Sequence, residues 1–105
     1  RGGAVIMSWE TIARRLEVGA LVKDGAYRIV AIDDKGITAE RVKTGSRVRA
    51  SRAMIEKTER RLEAGEFIPR RGISYTVAIE TLVVLALGRA IQETTRDGAR
   101  GYAAR

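Results

Sequence analysis

Between Val77 and Leu87 the only polar residues are Glu80 and Thr81. A helix that is apolar on nearly every side cannot lie on a surface, so this stretch demands a shell of other elements around it. Its eleven residues are too few to cross a hydrocarbon core about 30 Å thick. That leaves a buried core helix, or a helix shared with a second subunit. Ser74 is placed to cap it, giving a helix from Tyr75 to about Leu87, with an extension toward Thr94.

The remaining segments supply the shell. Ser8 reads as an N-cap, with Met7 stapled on Ile12, for a helix from Trp9 to about Val18. Its inward face is Trp9, Ile12, Ala13 and Leu16, and Gly19 is its stop. Ala26 to Ile32 and Ile37 to Lys43 read as strands joined by the turn Asp33-Asp34-Lys35-Gly36. Thr44-Gly45-Ser46 makes a second turn into a short strand, Arg47 to Ala50. Ser51 then caps a helix to about Ala64 that buries Met54, Ile55, Thr58 and Leu62, with Glu56, Lys57, Glu59, Arg60 and Glu63 in solvent. Arg14 to Gly19 and Arg60 to Gly65 agree at five of six positions. Both read as helix C-termini, with arginines near the negative dipole end and a glycine stop.

The expected fold is therefore α+β: a small single domain with an N-terminal helix, a three-stranded antiparallel meander and two further helices, the last mostly buried. The domain is expected to span residues 8–95. Residues 1–7 are read as a flexible N-terminal extension, and the Gly/Ala/Arg-rich residues 96–105 as a flexible C-terminal tail. The first residues lack the apolar run and cleavage site of a signal peptide, so a cytoplasmic location away from membranes is expected.

The chemistry open to the chain is narrow. It has no His and no Cys, which removes imidazole and thiol nucleophiles, Ser-His-Asp triads, disulfides and the usual zinc sites. Asp33-Asp34 near Glu40 has the composition of a Mg²⁺ site, but Asp-Asp-Lys-Gly between two strands is ordinary turn chemistry. Glu80 within an apolar helix reads as an exposed stripe or a partner for an arginine. No catalytic residue, metal or cofactor is assigned, and the chain is expected not to be an enzyme.

Charge is the more informative property. Twenty Lys and Arg against thirteen Asp and Glu give a net +7. Residues 1–40 are neutral overall and residues 72–105 carry +1, whereas residues 41–71 hold ten basic side chains against four acidic ones. Within that stretch Arg41, Lys43, Arg47, Arg49 and Arg52 occur with no acid between them. A three-residue hairpin loop would set Arg41, Lys43, Arg47 and Arg49 on one face, opposing like charges. Such a ribbon calls for an anionic partner, unless Glu40, Glu56 or Glu59 neutralises it. A two-stranded ribbon suits the major groove of DNA, and Thr44, Gly45 and Ser46 offer further donors to phosphate.

The expectation is a non-enzymatic nucleic-acid-binding domain, duplex DNA favoured over RNA. Its contacts are Arg41, Lys43, Thr44, Gly45, Ser46, Arg47, Arg49 and Arg52, extended by Arg70 and Arg71. The alternative is an oligomerisation or adaptor domain working through helix 77–87, with a homodimer formed by Val77, Val83, Val84 and Leu87. The arginine-rich, Cys-free composition would also suit a thermophile.

Overall fold

The computed structural model describes residues 9–105, so the extension at residues 1–7, the Ser8 cap and the Met7 staple lie outside the described residues. The described residues form a small α+β structure with three α-helices and two antiparallel sheets. In chain order these are α1 (Trp9–Arg15), β1 (Leu21–Val22), β2 (Tyr27–Asp33), β3 (Gly36–Arg41), β4 (Arg47–Ser51), α2 (Arg52–Glu63), β5 (Ile68–Pro69), α3 (Val77–Leu87), β6 (Ile91–Arg96) and β7 (Ala99–Ala104).

The first sheet is a meander in the order β1-β2-β3-β4. It is one strand wider than expected, because Leu21 and Val22 pair with Arg28 and Tyr27. An irregularity in β2 between Ile29 and Ala31 shifts the register by one residue. Side-chain parity is thereby reset, and Ile29 and Ile32 both face inward although they are three apart. Ile29, Ile37, Ala39 and Ala50 are buried on this inner face, where α2 and α3 pack.

The α2 helix forms as its pattern predicts. Ser51 Oγ accepts the Met54 N–H at 3.1 Å, and Ile55, Thr58 and Leu62 are buried. Glu59, assigned to the solvated face, is instead buried. In α3, Ala78, Leu82, Val83, Ala86 and Leu87 have almost no exposed surface. Two of the four residues expected at a two-fold interface, Val83 and Leu87, are thus enclosed in the chain's own core, and Val77 alone of the four is exposed. This helix carries no basic residue in its last turn. Arg15 of α1 supplies the cation instead, donating to the carbonyls of Leu85 (3.0 Å) and Ala86. The arginine expected to serve its own helix terminus serves that of α3, which satisfies orphan carbonyls and opposes the dipole.

The region after α3 departs most from expectation. A 3-10 turn, Gly88–Ala90, ends the helix, and residues 91–104 form the hairpin β6–β7. Asp97 (φ 53°) and Gly98 (φ 81°) both take the left-handed conformation required by a two-residue primed turn. Residues assigned to a tail therefore make the middle strand of the second sheet, ordered β5-β7-β6, with Gly101 and Tyr102 buried.

Tyr102 fastens this sheet to α3. Its hydroxyl donates to Glu80 Oε2, and Arg70 Nε lies 3.7 Å from the same oxygen. Glu80, 5% exposed, takes the arginine-paired alternative. Burial, then the hydrogen bond to Glu80 and the Glu80 and Glu93 charges, push the Tyr102 hydroxyl up to about 12 from an ordinary 10.0. A tyrosine whose pKa is raised on folding contributes stability below its unfolded value and loses it as pH rises through the folded one. The wild-type urea midpoint should therefore fall between pH 10 and pH 12 more steeply than that of Tyr102→Phe. Parallel curves for the two proteins across that window would contradict the assignment.

Candidate nucleic-acid interface

The β3–β4 register decides where the basic residues point. Thr38 opposes Arg49, Ala39 opposes Val48 and Glu40 opposes Arg47. One step further, the Arg41 N–H donates to Ser46 O at 2.8 Å, which leaves a four-residue loop, Val42 to Gly45. The three-residue loop expected from the sequence is replaced by one of even length, and the faces change accordingly. Arg47 and Arg49 point outward, away from the helices. Arg41 falls on the parity of Ile37 and Ala39, and its guanidinium lies over the Tyr27 ring, 5.6 Å from the centroid. The four cations are thus divided between the outer face and the end of the hairpin.

The outer face is mixed in sign. A row across the sheet runs Leu21, Arg28, Glu40, Arg47, so Glu40 stands between two arginines. Arg49 donates to Thr38 Oγ1 at 2.7 Å and to Asp33 Oδ1 at 2.8 Å. Asp33 also accepts the Lys35 N–H at 2.8 Å. The hydrogen bond from Arg49, and then that backbone donor, hold the Asp33 carboxyl below its ordinary value. Asp33, expected as a turn residue, is thus engaged by an arginine and a backbone amide. Among the described residues, neither Arg28 nor Arg47 lies within 4 Å of a carboxylate oxygen, and both are exposed. The acid-free run in sequence is therefore not acid-free in space, because neighbouring strands bring Asp33 and Glu40 alongside it.

The turn residues are occupied by their own loop. Gly45 (φ 76°) donates its N–H to Arg41 O at 2.7 Å. The Ser46 N–H donates to Thr44 Oγ1 at 3.2 Å, and the two hydroxyls lie 3.1 Å apart. These groups shape the hairpin end and leave Lys43 exposed upon it. Arg52 is likewise engaged: Nε donates to Glu56 Oε2 at 3.0 Å, Nη1 to Asp34 O at 3.3 Å, and the guanidinium covers Trp9 at 5.6 Å. These contacts offset the unfavourable placing of a cation at a helix N-terminus.

Arg70 and Arg71 lie on a separate element, the 3-10 turn Arg70–Gly72. Arg71 donates to Tyr75 O at 3.3 Å, and Arg70 faces Glu80. Two cavities border the turn between β1 and β2. One, of about 220 Å³, is lined by Lys23, Arg70, Glu80 and Tyr102. The other, of about 460 Å³, lies between Asp24–Tyr27 and Arg41–Thr44. Arg28 and Lys23 were missing from the expected contact set. The signal for Arg28 was present in the alternation of β2, where an inward Tyr27 requires an outward Arg28.

No family model matches the chain, and neither a curated protein nor a solved structure matches it. Among the described residues, no helix is long and apolar enough to cross a membrane.

Proposed function

We propose that the protein is a non-enzymatic nucleic-acid-binding domain that lays the outer face of its four-stranded sheet and the end of the β3–β4 hairpin against the backbone of a duplex, DNA in preference to RNA. The observation that carries this reading is the sheet face left open by the helices, on which Arg28, Arg47 and Arg49 project to solvent. Arg41 and Lys43 continue the cationic surface at the hairpin end. Exposed arginines engage phosphate oxygens in pairs, and the net charge of +7 favours association with a polyanion. Arg49 would exchange Asp33 for phosphate, while Arg28 and Arg47 have no carboxylate within 4 Å to give up. Chemistry without His or Cys also favours binding over catalysis. Arg52, Arg70 and Arg71 take structural roles in this reading.

Five phosphate contacts would make log K fall with log[salt] at a slope of about −4 to −5, near −0.9 per phosphate. The Arg47→Ala/Arg49→Ala double variant should flatten that slope by about 2. Fluorescence anisotropy on a blunt duplex between 50 and 200 mM salt (about the range over which counterion release is read) measures both. Absence of duplex binding at low salt, or identical slopes, would overturn the proposal.

A further inference from the structure

The larger cavity holds the chemistry of a nucleotide subsite. One wall comes from the turn between β1 and β2 (Asp24 to Ala26), the other from the hairpin loop (Val42 to Thr44). The Val42 N–H donates to Ala26 O at 3.0 Å, tying the two walls together. Arg41 lies on the Tyr27 ring beneath, which restrains its guanidinium and leaves the planar group at the cavity. Val42, 47% exposed, adds an apolar edge. A volume of about 460 Å³ falls within the range of small-molecule pockets. The turn itself is strained: Lys23 (φ 52°), Asp24 (φ 55°) and Gly25 (φ 85°) are consecutive left-handed residues. Strain at non-glycine residues concentrates at binding sites.

The charges give the cavity a direction. Arg41 and Lys43 attract phosphate on one wall, and Asp24 repels it on the other while accepting from a hydroxyl. A strand running through the cavity would bring a second phosphate against Asp24, and so would a 5′-phosphorylated end, whereas a 3′-hydroxyl end would not. We propose that the cavity seats one unpaired nucleotide at the 3′ end of a strand, its 5′-phosphate on Arg41 and Lys43, its base against Arg41 and Val42, and its 3′-hydroxyl toward Asp24. This inference rests on the nucleic-acid-binding reading and adds a preference for a particular kind of end.

The experiment compares three ligands by anisotropy at one salt concentration: a blunt duplex, the same duplex with a one-nucleotide 3′ overhang ending in a hydroxyl, and that overhang ending in a 3′-phosphate. Wild type should bind the hydroxyl overhang about tenfold more tightly than the blunt duplex, the scale of one base stack with a phosphate contact. The 3′-phosphate should erase the gain and Asp24→Asn should restore it. Lys43→Ala should reduce the gain, and Arg47→Ala/Arg49→Ala should leave it intact while weakening all three ligands. If the blunt duplex binds and the overhang brings no gain, or the 3′-phosphate is accepted equally by wild type, the subsite is overturned and the sheet-face reading stands. If no ligand binds, both fall.

Discussion

Replacing Gly101 with alanine is expected to destabilise the protein by about 3 kcal/mol or more, although the change adds a single methyl group in a stretch of Gly, Ala and Arg. Gly101 sits in the middle strand of the second sheet, opposite Pro69 and Thr94. A Cβ there would overlap the carbonyl oxygen of Ile68, and would lie 2.6 Å from the Phe67 ring and 2.9 Å from Pro69 Cα. Two of these three neighbours are backbone, which cannot swing aside as a side chain can. Relief requires β5 and β7 to separate, and Tyr102 would then leave Glu80. Gly98→Ala is the appropriate comparison, because it meets open space and carries only the strain of its φ of 81°, about 1 kcal/mol. Urea denaturation followed by circular dichroism separates the two variants. A Gly101→Ala protein as stable as wild type would mean that residues 99–104 do not pack as β7.

Val83→Glu is expected to abolish folding. Val83 has no exposed surface and lies at the centre of the face that α3 turns to its neighbours. An unpaired carboxylate there faces a desolvation cost beyond the stability of an ordinary domain of this size, which is on the order of 5–10 kcal/mol. Glu80, one turn earlier, shows what the same group needs in order to be tolerated: a tyrosine hydroxyl and an arginine aimed at one oxygen. Far-ultraviolet circular dichroism and light scattering on the variant form the test. A folded Val83→Glu monomer derived from a wild-type dimer would show that the helix face is an interface between copies, and would reinstate the oligomerisation reading.

What the sequence made legible is local. Ser51, the α2 periodicity and the Asp33–Gly36 turn all announce themselves within a few residues, and each lies where its pattern placed it to within a residue or two. That α3 must be covered was equally plain, although the pattern alone left open whether the cover is the chain's own core or a second subunit. The second sheet was not legible, since its inward side chains are few. Gly101 and Tyr102 carry the burial of β7, one on each face of the sheet, and the groups that cover them, Phe67, Ile68 and Glu80, lie far back in the chain. Asp97-Gly98 was the one local signal, a dipeptide suited to a tight hairpin, and the surrounding Ala and Arg masked it.

The charged hairpin failed in a different way. Its strands lie within two residues of their expected bounds, but the first ends at Arg41 instead of Lys43, and a loop of four residues in place of three reverses which side chains share a face. A run of like charge in sequence also gives no information about the strand on its other side. Asp33 enters the array only through pairing, and the register sets Glu40, already adjacent to Arg41 in sequence, between Arg28 and Arg47, so the contact set shifts from one ribbon of cations to a face and an end.

The bond from Arg15 to the end of α3 has a bearing on how the molecule comes apart. It joins residues 70 and 71 positions apart, so closing it requires most of the described chain to be in place. The carbonyls of Leu85 and Ala86 stay uncapped until α1 docks, and α1 gains this bond only once α3 exists. Contacts that depend on each other across such a separation discourage partly folded states, and melting should proceed as one all-or-none transition with α1 and α3 released together.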